Sequence, residues 1–386
     1  MPLPQPRASE LLRIKDRPLE FSFWPMERTT RRYGLGARVF ATDPWTVIRR
    51  SIERRCLKTT KDAASALIEQ AEDFFVAAAS GVKAAKPLLM YYCVMNLAKA
   101  LVLCVRQRQE VDNAQHGVSE RLDAPPNNKE LLNAWLNAAT TLPAGAIPLG
   151  RIQVFHELAR ALGSGGAIPV NNTRFDLPAL MPQIVPGHRL WIEASNYRER
   201  FVSLQRIEFR KNPNAREVWI RMFLFADDLR RVDLGHQDFL LQAQLAGSFY
   251  EVATVETEQE RRLICLDQAN VTPYNHRPSD VIPQLVGSIR QRLWRTVLTS
   301  PPYRKYYCYA APVAEHAQVL TQLLSIYAIT FYLGSIVRYR PHHFDKILQS
   351  AHGPFVEAFL NDQPQQLAYL FASEFAEKEV TRAAIV

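Results

Sequence analysis

The chain is poor in cysteine and carries none of the common catalytic signatures. Five cysteines occur in 386 residues: Cys56, Cys93, Cys104, Cys265 and Cys308. The number is odd, the spacings are wide, and no CxxC is present. That pattern argues against a disulfide framework and against a cysteine-ligated zinc site. Cys93 and Cys104 lie in apolar runs and are expected as core thiols. The cysteine usage points to a reducing compartment, the cytoplasm. No HExxH, GxSxG, EF-hand loop or dinucleotide fingerprint occurs. Gly163 to Gly166 reads GSGG but no GK[ST] follows, so it is expected as a helix C-cap and turn. His342, His343 and His352 lack metal-ligand spacing on a helix. No metal and no cofactor is therefore expected. The N-terminus has no apolar stretch after its charges and does not resemble a signal peptide.

Composition is that of an ordinary globular chain, 47% hydrophobic and 22% charged. The net charge of +9 is unevenly placed: residues 1–61 hold 14 basic and 6 acidic side chains, and the rest is near neutral. The basic and aromatic set is Arg28, Arg31, Arg32, Tyr33, Arg38, Trp45, Arg49, Arg50, Arg54 and Arg55. Cations for phosphates and rings for bases are what a nucleic-acid surface needs. The same residues would also serve an acidic protein partner, or simply a solvated surface, with Trp45 as a core plug.

Two apolar segments stand far apart in the chain. Lys86-Pro87 opens a helix that runs through PLLMYYCVMNLAKALVLCVRQ and is apolar nearly all round, as a bundle centre would be. Asn96 and Lys99 interrupt it, and a buried Asn must find partners. Ala317 to Val337 is the second, 21 residues without a charge. Its Gln318, Thr321, Gln322, Ser325, Tyr327, Thr330, Tyr332 and Ser335 favour a buried core helix over a membrane span. No membrane association is expected. Further helices are predicted at 62–79, with Asp43 capping an earlier one at Pro44, and at 129–139, 153–162, 343–350, 354–361 and 364–382.

From residue 189 the period changes to two. HRLWIEAS, RFVSLQRIEF, EVWIRMFLF and SFYEVATVE alternate apolar and polar residues, and LWRTVL and KYYCYAA add to them. Glu208 to Lys211 is expected on an edge strand. The fold class is α+β: a discontinuous helical bundle with an inserted antiparallel β-rich region. The domains are a basic Pro-rich arm (1–45), the first helical half (46–188), the β-rich insert (189–312) and the second helical half (313–386).

The run from Lys86 to Leu103, His116-Gly117, and LGSIVRYRPHHFDKIL from Leu333 resemble the YaaC-like family of bacterial proteins. The resemblance covers the helical ends, about half the chain. It implies a bacterial cytoplasmic protein. Some members lie among genes for defence against phage, which implies a role of that kind. A shorter likeness concerns Arg338 and His343, which resemble the Arg-x4-His signature of the helical HEPN ribonucleases. His343 would then act as acid or base and Arg338 on the phosphate, with no metal. Tyr339 replaces the polar residue that often follows the arginine in that family, and Pro341 breaks the helix within the motif. Arg338 and Arg340 would equally serve as C-terminal helix charges.

Asn96, Lys99 and His116 form a second candidate cleft; if the two apolar helices are parallel neighbours, Arg106, Arg108, His116 and Arg338 would line one cleft, whereas an antiparallel pair would set Arg106 and His116 far from Arg338. The lead expectation is a nucleic-acid-associated protein (RNA or DNA), with RNase chemistry as its sharpest form. The alternative is a non-catalytic interaction subunit that docks an acidic partner through its basic arm. A small-molecule enzyme is a third class, with no motif in its favour.

Overall fold

The computed structural model describes residues 2–14, 16–25, 38–81, 83–106, 114–122, 134–138, 152–164, 173–185, 187–254, 256–297 and 305–382. Arg28, Arg31, Arg32 and Tyr33 lie outside them. In chain order the first helices are α1 (Pro44–Arg55), α2 (Lys58–Ser80), α3 (Lys86–Arg106), α4 (Val154–Ala161), α5 (Leu177–Leu180) and α6 (His188–Ser195). They are followed by α7 (Ala226–Arg231), α8 (His236–Gln242), α9 (Ile282–Arg290), α10 (Gln322–Tyr339), α11 (Pro341–Gln349) and α12 (Gly353–Ala376). The architecture is α+β. The chain divides into two compact units. One comprises Ala41–Tyr197 and Ala317–Ala376, the other Met1–Phe40, Arg198–His316 and Glu377–Val386.

The first unit is a helical bundle built round α3, which packs on α2, α4, α10 and α12. Asp43 starts α1 by accepting from the backbone of Trp45 (2.9 Å) and Thr46 (3.0 Å), with Pro44 in the first turn. Trp45 is buried and meets Phe75 edge-on. Every residue of α10 from Gln322 to Ile336 is buried, as a core helix requires. Among the described residues α3 alone is long and apolar enough to cross a membrane, and about two thirds of its most apolar stretch is buried inside the protein. Val118–Leu122, Ala134–Ala138 and Thr173–Asp176 form a small antiparallel sheet in this unit.

Several local expectations are corrected. HRLWIEAS is the helix α6 and not a strand: His188 and Trp191, three apart, are its buried residues, and Trp191 packs on Phe355 at 5.4 Å. Residues 134–138 are a strand where a helix was expected, with Ala134, Leu136 and Ala138 facing inward at period two. The rest of that predicted helix lies outside the described residues. The C-terminal helix ends at Ala376, passes through Pro364 unbroken, and is followed by a strand, Glu379–Arg382. Cys104, expected as a thiol, is joined to Cys56 in a disulfide.

The second unit is a twisted antiparallel sheet. Arg206–Asn212 pairs with Glu217–Phe225, which pairs with Arg261–Gln268, which pairs with Phe249–Val252. One sheet face is sealed by α8 and α9 through Phe239, Leu240, Ile282, Leu285 and Ile289. The N-terminal segment is no free arm. Glu10–Leu11 adds to the sheet beside Arg210 and Lys211, and Leu12, Leu19 and Phe21 enter the core. Glu208 to Lys211 is thus flanked on both sides, contrary to the edge position expected.

Candidate functional site

The helical bundle gathers titratable groups round His116. On α3, Tyr91, Met95 and Lys99 follow at intervals of four and share one face. On α10, Tyr327, Phe331, Gly334 and Arg338 follow at spacings of four, three and four and also share a face. These stripes meet where Gly334 replaces a side chain. A β-carbon there would lie 2.9 Å from the Tyr91 β-carbon and 3.3 Å from the Pro87 carbonyl oxygen.

His116 enters from the loop before the strand Val118–Leu122, and its backbone is fixed from two sides. Its carbonyl accepts from the Tyr327 hydroxyl (2.9 Å) and from the backbone N–H of Phe155 (3.2 Å). The next residue, Gly117, has φ +85°, and a β-carbon on it would meet Phe155 at 2.9 Å. Only glycine takes that conformation at that distance without strain. The imidazole lies between the rings of Tyr91 (5.5 Å) and Phe331 (5.8 Å), which shield it in part, while the residue as a whole stays exposed.

The hydroxyl of Tyr91 is hydrogen-bonded to His116 Nδ1 and also approaches Met95 Sδ at 3.4 Å. Burial pushes the Tyr91 phenol far above its ordinary pKa, with help from Tyr327 and Tyr92. It therefore stays protonated, with one proton to donate. The phenol proton has three acceptors within reach, His116 Nδ1, the Tyr327 hydroxyl and the weak thioether of Met95, so the direction of the bond to Nδ1 follows the tautomer of the ring. In the tautomer that accepts at Nδ1, the neutral ring carries its own proton on Nε2. Burial, then the charges of Lys99 and Arg338, hold the His116 pKa below the ordinary histidine value. In that tautomer His116 presents an Nε2–H donor, and the charges of Lys99 and Arg338 bear on it. Such an arrangement suits an anion with several oxygens, such as a phosphate.

The sequence candidates separate accordingly. The charges of Lys99 and Arg338 both bear on His116. Asn96 is buried and donates to Gln70 Oε1 at 2.7 Å, tying α3 to α2. Arg338 is exposed. His343 is only 8% exposed, and its Nδ1 has no hydrogen-bond partner among the described residues. Burial, then His342, Lys346 and Arg340, lower its pKa. The arginine whose charge His343 feels is Arg340, whereas Arg338 acts on His116. Among the basic residues, Arg38 pairs with Glu20 at 3.1 Å, Arg49 pairs with Glu72, and Arg55 donates to the last carbonyls of α12. Arg50 and Arg54 stand exposed one turn apart on α1. Among the described residues no group of three His, Cys, Asp or Glu side chains is placed to hold a metal ion.

The chain matches the model of the YaaC-like proteins over residues 23–375, nearly its whole length. The chain belongs to the YaaC-like family. The match extends through the β-rich unit as well as the helical segments. No curated protein and no solved structure matches it.

Tyr91, Tyr327 and Phe331 are the site residues that sequence reasoning missed. A signal existed: a tyrosine inside an apolar helix must find a partner for its hydroxyl. Two such helices, each with a tyrosine, pointed to a shared polar point between them.

Proposed function

We propose that this YaaC-like protein binds nucleic acid, and that the helical bundle holds a backbone phosphate between His116 Nε2–H, Lys99 and Arg338. The observation that carries the reading is that Lys99 and Arg338 both bear on a histidine kept neutral by its surroundings. Two cations placed beside a neutral donor gain most from a bound anion, and a phosphodiester supplies charge and acceptors together. Non-catalytic binding goes with the Nε2–H tautomer of His116, in which the lone pair a general base would use accepts from Tyr91. The metal-independent RNase reading, with His343 as acid or base, draws support from the unpartnered Nδ1 of His343. A place in phage defence is part of the same proposal and rests on the family resemblance.

The test is RNA binding by fluorescence anisotropy across a salt series. Affinity of the wild type should fall steeply with salt, and Lys99→Gln and Arg338→Gln should each flatten the log–log slope by about one. Unchanged slopes in both variants would remove the phosphate site. The same preparations, incubated with RNA in EDTA beside His343→Ala, decide the RNase reading. Cleavage lost in Arg338→Gln and His343→Ala supports it, and no cleavage by the wild type rejects it. Salt-insensitive RNA binding would favour the alternative, an interaction subunit whose exposed Arg50 and Arg54 meet an acidic protein.

A further inference from the structure

The last residue of α10 extends this site. Tyr339 is 63% exposed, more than any other large hydrophobic side chain among the described residues. The guanidinium carbon of Arg338 lies 5.0 Å from its ring centroid. Immediately after it the helix stops: Arg340 takes φ −144° and ψ 57°, and Pro341 opens α11. That break leaves the Tyr339 ring at a helix end, projecting from a corner. His342 and Lys346 are exposed on α11, with the carboxylate of Asp345 between them in sequence. Arg340 faces Glu120 at 3.8 Å.

An exposed tyrosine at a helix end presents its ring, an apolar body with a polar tip, to whatever meets that corner. Here the ring adjoins the cation that serves the proposed phosphate site. In a nucleotide the phosphate and the base are joined through one sugar, and here their two complements are consecutive residues. A base stacks on a ring only when its own face is free, which a duplex does not permit. We propose that Tyr339 is a stacking platform for an unpaired base, so that the ligand is single-stranded nucleic acid with its phosphate at Arg338. This rests on the phosphate reading above and narrows its substrate class.

The experiment uses the full chain and three probes: a labelled single-stranded oligonucleotide, made as RNA and as DNA; the corresponding duplex; and polyphosphate, which has charge but no bases. The wild type should bind the single strand at least tenfold more tightly than the duplex. Tyr339→Ala should lose about tenfold for the single strand and nothing for polyphosphate. Tyr339→Phe, which keeps the ring, should bind as the wild type does. Arg338→Gln should weaken all three probes. Equal binding of single strand and duplex, or a Tyr339→Ala variant that binds the single strand normally, would overturn the stacking proposal and leave the phosphate site standing. Failure of the wild type to bind polyphosphate and oligonucleotide alike would overturn both.

Discussion

Gly334 of α10 lies against Tyr91 of α3 at a distance no side chain would permit, 2.9 Å between the tyrosine β-carbon and the position of a glycine β-carbon. This contact sets the spacing of the two central helices and, through the Tyr91 hydroxyl, the orientation of His116. Glycine inside a helix is itself unfavourable by about 1 kcal/mol relative to alanine, so its presence here is explained by the close approach. Gly334→Ala is expected to be net destabilising, because overpacking of this kind costs about 1–3 kcal/mol. Urea unfolding measures it. A variant as stable as the wild type or more so would mean that Tyr91 moves aside freely. Tyr91→Phe keeps the ring and should cost about 1 kcal/mol for the lost hydrogen bond.

Three histidines are expected to make the protein sensitive to acid. His116 and His156 have pKa values lowered by burial first and by neighbouring cations next: Lys99 and Arg338 for the former, Arg160 for the latter, with Glu157 opposing. His343 behaves likewise. In the unfolded chain each takes up a proton near pH 6.5. As pH falls through that value the unfolded state binds protons that the folded state resists, so stability drops. Thermal melting between pH 7.5 and 5 should show this fall. His156, buried and with neither ring nitrogen partnered among the described residues, should contribute strongly. His156→Gln should flatten the acid side of the curve, and an unaltered pH profile would assign the effect elsewhere.

In the sheet unit, Arg221 and Asp267 sit directly across neighbouring strands and form a two-pronged pair of 2.5 and 2.8 Å. Both are buried, Asp267 completely. Removing the arginine strands a carboxylate in the core, which costs about 3–5 kcal/mol. Arg221→Ala should therefore unfold at much lower denaturant than the wild type. The double variant Arg221→Met with Asp267→Leu should recover most of the loss, since no charge is left unpaired. Equal destabilisation by single and double variants would show that the packing of these side chains, and not their charge, is what matters.

The main helices were legible because their signals are local. Asp43-Pro44 at one start and Lys86-Pro87 at another fix where helices begin, and unbroken apolar runs mark α3 and α10 as central. The errors share one physical cause. Leu190, Trp191 and Ile192 satisfy a strand pattern as well as a helical one, and only the Trp191 contact with Phe355 decides for the helix. Ala134 to Ala138 is short enough to be read either way, and pairing with Val118–Leu122 decides for the strand. The site was hidden for the same reason. Arg338 and His343 look like partners because they are near in sequence. The group that Arg338 acts on is His116, brought in by a loop whose position depends on Gly117, Phe155 and Tyr327.

Cys56 follows the last residue of α1, and Cys104 lies in the final turn of α3. Their α-carbons are 4.6 Å apart across 48 residues of chain, and their sulfurs are joined. Closing a loop of that length removes unfolded-state entropy worth about 4 kcal/mol in the chain-entropy account. The other three cysteines, Cys93, Cys265 and Cys308, are buried thiols, and burial pushes Cys265 and Cys308 up to about 12. None of the three should react with a thiol reagent in the native protein. Denatured without reductant, the chain should titrate three thiols, and after reduction five. Reduction, or Cys56→Ser, should lower the melting temperature, while leaving the fold intact at room temperature because α1 is also held by Trp45 and by Arg55 on α12. Five thiols without reductant would mean that the two sulfurs are neighbours and not bonded, and the stability assigned to the bond would then have to vanish from the melting curves as well.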